Sequence, residues 1–265
     1  HLYMKKILLS LCVMCCLTTF GQGTKTKKAN NGDYTEYFTV DKKTTKKHGQ
    51  YLRLNNATPD TLMKGAYENG ERAGEWSFYD KRGKLYFKYD YGNKAVTYLS
   101  DTIKAVDKFY IKTDSVFEYT TVDRPPLYLS NEVDIFRTLS NIRLPIAIHE
   151  KNIKGKSVAT FEIDPQGNVK NIQIEQSLHL GFDKDIVEVI RKLNTGWLPA
   201  IKDGAPVVAG YVLVINVLPS GEEVPKIQEL PFMFVVTLNY YSETRITINR
   251  ENNSLPKPRG FSGRY

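Results

Sequence analysis

Side chains able to make or break bonds are few in this 265-residue chain, and they stand apart from one another. Leaving aside His1, the histidines are His48, His149 and His179, none with a partner at metal-ligand spacing. No Gly-x-Ser-x-Gly, phosphate loop or dinucleotide fingerprint occurs. Asp164 reads as a turn residue and Asp183 as a helix cap, not as a catalytic pair, and Trp197 reads as a core anchor. The three cysteines, Cys12, Cys15 and Cys16, all fall in one apolar stretch near the start, so the remainder has no thiol nucleophile and no disulfide. The expectation is a protein that is not an enzyme and holds no metal and no cofactor. Formal net charge is +8, from 37 basic and 29 acidic residues spread along the chain. That mild excess argues only weakly for an anionic membrane or cell-wall surface, and it names no nucleic-acid partner.

The densest organisation runs from Pro145 to Val217. Ser157 to Asp164 alternates Ala159, Phe161 and Ile163 with Val158, Thr160 and Glu162, the period of a half-buried strand. Asp164-Pro165-Gln166-Gly167-Asn168 turns the chain into a second strand, Val169 to Gln176. From Phe182, the residues Ile186, Val189, Ile190 and Leu193 recur at helical spacing, and Trp197-Leu198-Pro199-Ala200 stops that helix. After Asp203-Gly204 and Pro206, Val207 to Val217 is almost wholly apolar, as a strand covered on both faces is. Upstream, Ser130 or Asn131 is positioned to cap a helix carrying Val133, Phe136, Leu139 and Ile142.

Five segments follow from this reading. Residues 1–22 form a cleaved signal peptide: Lys5 and Lys6 precede an apolar run from Ile7 to Phe20. Fourteen helical residues reach only about 21 Å against a hydrocarbon core of about 30 Å, although a retained inner-membrane anchor is the alternative. Residues 23–47, rich in lysine, are expected to be disordered. Residues 48–125 form a β-region with a degenerate repeat of about 25 residues, in which glycine precedes an aromatic strand. Residues 126–218 form a helix-and-strand domain. Residues 219–265 add one or two strands, Phe232 to Tyr240 and Thr244 to Ile248, and a disordered tail.

Two resemblances carry the functional reading. Gly65-Ala66-Tyr67-Glu68-Asn69-Gly70, Gly74-Glu75-Trp76-Ser77-Phe78-Tyr79 and Gly83-Lys84-Leu85 resemble MORN-like repeats, which implies protein or lipid binding; the same residues also make a plain β-meander spacer. Downstream, Arg124-Pro125-Pro126, Pro145, Gly155, Asp164, Gly167, Trp197-x-Pro199-Ala200 and Gly204-x-Pro206, in that order and spacing, resemble the C-terminal domain of the TonB family. The fold expected is therefore α+β: a meander of MORN-like hairpins, then a two-helix domain with three or four antiparallel strands. The family resemblance implies a periplasmic protein that captures a peptide of an outer-membrane TonB-dependent receptor by strand addition. The pairing edge it implies is the last strand, Tyr211, Val212, Leu213, Val214, Ile215, Asn216 and Val217. Inner-membrane proton-channel partners, the cell wall and a homodimer are further options. Only 12 prolines occur and no run exceeds Pro125-Pro126, so there is no polyproline spacer. The other reading is an envelope scaffold that holds cell wall, lipid or protein through its aromatic repeats. The strand from Phe232 bears on both, because folded back beside Tyr211 to Val217 it fills the peptide edge in cis.

Overall fold

In the computed structural model, residues 23–241 are described, apart from 81, 114, 131, 195 and 229. The expected signal peptide, the capping role of Asn131, the strand at Thr244 to Ile248 and the disordered tail lie outside the described residues.

The first layer is a seven-stranded antiparallel meander in sequential order: β1 (Thr24–Asn30), β2 (Tyr34–Asp41), β3 (Lys47–Asn55), β4 (Thr61–Glu68), β5 (Glu71–Tyr79), β6 (Leu85–Asp90) and β7 (Ala95–Leu99). Asn69 and Gly70, both at positive φ, make the tight β4–β5 turn whose twist suits a two-residue hairpin. Trp76 lies flat on β4 at Gly65, where a Cβ would come within 2.3 Å of its ring. Its indole Nε1–H donates to the Ala66 carbonyl at 3.0 Å. Around it Tyr51, Phe78, Phe87 and Tyr89 close a thin aromatic core.

Residues 24–41, expected to be disordered, instead form β1 and β2. The lysines of β1 point to solvent on an edge strand, where the ladder is made by backbone and not by side-chain burial. Tyr34, Thr35, Thr39 and Val40 of β2 are buried beneath it.

A short helix, α1 (Asp101–Lys104), capped by the Ser100 hydroxyl and anchored by buried Ile103, leads out of the meander. β8 (Lys108–Thr113) and β9 (Val116–Thr121) then pair in the second sheet, not the first. Their expected place in the 48–125 β-region is thus corrected: Phe109 and Ile111 bury in the second core. That core also takes α2 (Glu132–Leu139), α3 (Ile146–Glu150), β11 (Gly155–Ile163), β12 (Val169–Gln176), α4 (Leu180–Arg191), β16 (Ala209–Pro219) and β17 (Met233–Tyr240). Between them, β10 (Leu127–Tyr128) pairs with β13 (Trp197–Leu198), and β14 (Ala200–Lys202) makes a hairpin with β15 (Ala205–Val207). The second sheet has order β12-β11-β16-β8-β9, with β17 also paired to β16. The fold is thus mixed α and β. In place of two helices on three or four antiparallel strands, three helices lie on a six-stranded sheet that includes a parallel pair.

One helix detail differs from expectation. The buried side of α2 holds Ile135 and Leu139, continued by Ile142, whereas Phe136 is 42% exposed at the rim. The Ser130 hydroxyl donates to the Asp134 carboxylate.

Arg53 joins the layers. From β3 its guanidinium pairs with Glu36 at 2.8 Å and with Asp134 of α2 at 2.5 Å, donates to the Tyr51 hydroxyl at 3.0 Å, and lies over the Tyr34 ring. Burial alone would raise the Glu36 pKa, but the Tyr51 hydroxyl and Arg53 together hold it below the ordinary value. Its contribution is therefore complete above the unfolded carboxylate range and is lost as pH falls through the lowered folded pKa. Arg53→Met leaves two partly buried carboxylates without their partner and is expected to cost about 1–3 kcal/mol in urea unfolding. Below about pH 4 the gap between wild type and variant should narrow; a gap that is constant with pH would show that the ion pairs are not its source.

The candidate peptide-binding strand

β16 is an apolar strand covered on both faces, and its surroundings decide what it can do. Tyr211, Leu213, Ile215 and Val217 point into the core beneath α4, while Val212, Val214 and Asn216 line the opposite face. Asn216 is only 3% exposed and leaves its Nδ2 donor without an acceptor among the described residues.

One edge of β16 is taken by β11, antiparallel from Gly155↔Val217 to Ile163↔Ala209. The other edge is divided. β8 meets it at Ala209↔Ile111, and β17 runs parallel to it from Val212↔Met233 to Pro219↔Tyr240. The residues Tyr211 to Val217 are therefore not an open edge, and the expectation of one is corrected. The occupant is the strand from Phe232 to Tyr240 that the sequence already marked. Its alternate residues explain the docking: Phe234 stacks on Tyr211 at 5.2 Å, Val236 is buried, and buried Tyr240 donates its hydroxyl to the Ile153 carbonyl at 3.1 Å. Val212 N–H to Phe232 O and Ser220 N–H to Tyr240 O close the two ends of the ladder. The outer edge of β17 has no ladder partner among the described residues.

The other residues singled out in the sequence hold this strand in place. Pro145, in extended geometry, precedes α3, and Gly155 opens β11 at φ +152°. The Asp164 carboxylate accepts the N–H groups of Gln166 and Asn168 at 3.0 and 2.8 Å. Burial would raise its pKa, and these donors outweigh that and hold it down. At Gly167, φ is +81° and a Cβ would come within 2.1 Å of the Trp197 carbonyl, so the first turn and the Trp-Pro corner are in backbone contact. Trp197 donates Nε1–H to Leu193 O at 2.9 Å and packs its ring on Tyr211 at 5.3 Å. The Pro199 carbonyl accepts Arg124 Nη2 at 2.8 Å, and Ala200 is fully buried. Asp203 and Gly204, both at positive φ, turn β14 into β15, where Pro206 faces Ile201 and the Gly204 N–H donates to Asp123. These side chains and turns fix the entry of β16. Asp183 is not the helix cap expected. His179 caps α4 by accepting the Gly181 N–H at Nδ1, and Asp183 instead accepts the Ser177 hydroxyl from within the first turn. The described residues include no group of three His, Cys, Asp or Glu disposed to hold a metal, and no helix among them is long and apolar enough to cross a membrane.

The decisive comparison is with protein-family models: residues 140–216 match the Gram-negative bacterial TonB protein C-terminal family. Over residues 140–216 the chain is thus similar to the TonB C-terminal domain. Domains of this family are transport-associated and envelope-associated, and the family interacts with outer-membrane receptors. No curated protein and no solved structure gives a match to the chain. The matched segment ends inside β16, so β17 lies beyond it although it completes the same sheet. Phe234→Asp places a carboxylate among the Phe161 and Tyr211 rings and should undock β17. Amide exchange of residues 212–217 is then expected to speed up by tenfold or more (on the order of 1.4 kcal/mol or above), with β3–β6 unchanged; protection retained along β16 would show that β17 does not hold that edge.

Proposed function

We propose that this chain is a periplasmic TonB-like protein that binds an outer-membrane receptor peptide by β-strand addition in TonB-dependent transport, at the β16 edge that β17 holds in the free protein. The observation that carries this reading is the parallel ladder itself. An appended strand from outside the family-matched segment pairs with Tyr211 to Val217, so the edge accepts an extended segment whose alternate side chains fill the core.

The energetics favour exchange over simple addition. About five ladder bonds at roughly 1 kcal/mol net each barely offset the loss of rigid-body freedom, about 4 kcal/mol or more. Exchange keeps the ladder constant: the peptide replaces bonds that β17 already makes and competes for the pocket of Phe234. β17 is tethered through residues 220–232, which sets its local concentration on the millimolar scale. A receptor peptide is thus admitted in proportion to the fraction of molecules in which β17 has left.

The periplasmic location follows from this reading with the signal peptide cleaved; coupling to an inner-membrane proton channel requires a partner that supplies the anchor. The meander is assigned to MORN-like protein or lipid contact. The envelope-scaffold alternative is favoured by one feature, the exposed lysines of β1 and of the 42–46 turn, which form a basic margin suited to an anionic polymer.

Capture of immobilised N-terminal segments of TonB-dependent receptors tests the assignment. Phe234→Asp is expected to bind at least tenfold more tightly than wild type. Adding Val214→Pro, which removes a donor and a strand conformation from β16, should abolish capture. Equal capture with and without Val214→Pro would refute strand addition at this edge.

A further inference from the structure

A cavity of about 220 Å³ lies where the meander meets the second sheet. One wall is Tyr86 and Phe87 of β6; the opposite wall is Phe109, Trp197, Tyr211 and Phe234. The Pro125-Pro126 linker closes a third side. Tyr211 is 5% exposed and lines the cavity together with Tyr86, whose phenol is its electrostatic neighbour. Burial, and secondarily Tyr86, push its pKa up, so Tyr211 is an O–H donor throughout the physiological range.

We propose that this cavity binds a small planar aromatic molecule bearing a carbonyl-type acceptor, its ring held among Phe87, Phe109 and Trp197 and its oxygen accepting the Tyr211 O–H. The volume sets the size class. It exceeds the roughly 150 Å³ of an apolar cavity that takes benzene and falls short of the roughly 300 Å³ and above of sites for larger ligands. Ring faces and edges supply contact without a net charge, and the Tyr211 hydroxyl offers a donor to a ligand that provides an acceptor. Ring-lined concavities at junctions between structural units are where such ligands settle. Phe234 and Pro231 belong to the β17 segment, so the ligand touches the strand that holds the β16 edge.

Acetophenone and ethylbenzene, alike in shape and differing in the acceptor, are suitable probes. The chain has two tryptophans, and only Trp197 lines the cavity, which makes the Trp76 indole an internal control. Titration of the full chain by two-dimensional NMR should give a saturable shift of the Trp197 indole N–H with Kd on the order of 1 mM for acetophenone, with Trp76 unmoved. Tyr211→Phe, which keeps the ring and its stacking, should weaken acetophenone about fivefold and leave ethylbenzene unchanged. Absence of a saturable Trp197 shift up to the solubility limit would overturn the site. Equal effects of Tyr211→Phe on the two probes would overturn the acceptor assignment.

Discussion

A strand buried on both faces cannot leave its edges to water, and β16 is the strand on which that constraint falls. Each backbone N–H and C=O from Ala209 to Pro219 needs a partner inside the protein. β11 supplies one side from Ala209 to Val217, but no single strand supplies the other. β8 meets it at Ala209, and β17 takes over from Val212. The sheet therefore branches, and the branch point is Gly210. A Cβ there would come within 2.9 Å of Tyr110 and 3.0 Å of Phe117, so only glycine lets the aromatic rings of the β8–β9 hairpin lie across the strand. Phe232, stacked against Tyr110 at 5.5 Å, then begins the turn into β17 where β8 leaves off. The departure of β8 and β9 from the meander and the return of the chain after residue 220 are two halves of one solution to the same edge.

The junction between the layers is built differently, from cations set among rings. Arg53 and Arg72 both leave the meander with their charge enclosed. Arg72 lies over Trp76 at 4.5 Å and donates to the Tyr91 hydroxyl and to the Leu129 carbonyl, each at 2.6 Å. Leu129 follows directly on β10, so Arg72 ties the tryptophan of the first core to the linker that starts the second. A guanidinium suits this work because its planar fork bonds in plane while its faces stack. The meander is consequently a fixed wall of the second layer and forms one side of the aromatic cavity.

Much of the second domain was legible because its signals are local. The alternation from Ser157, the Asp164 to Asn168 turn and the helical spacing after Phe182 each state a backbone conformation within a few residues. The order of the motif glycines and the Trp-Pro corner was legible too, and Gly167 against the Trp197 carbonyl shows why the two occur together. The meander was partly legible from its glycine-aromatic spacing. β1 and β2 were missed because Lys25, Lys27 and Lys28 sit on an edge strand, where composition mimics a solvated tail. His179 was passed over as a cap because its imidazole does what Asp or Ser ordinarily does. For α2, a face of Phe136 fits helical spacing as well as one of Ile135, and only the neighbouring sheet distinguishes them.

The candidate site illustrates a more general limit. An apolar run such as Val207 to Val217 reports that both faces of a strand are covered, since side chains project from the faces. It carries no information about edges, whose groups are the same in every residue. Whether β16 is open, paired in parallel or paired antiparallel is set by a segment well downstream, and the alternation Phe232, Phe234, Val236, Leu238, Tyr240 says only that this segment has a core-facing side. Once the two are seen together, the extension beyond the family-matched segment acquires a physical role. On the proposed strand exchange, a partner strand would have to match a tethered competitor with its own aromatic anchor in the core, so selectivity would rest on side chains that fill the Phe234 position better than Phe234 does, and not on backbone bonds that any extended peptide can offer.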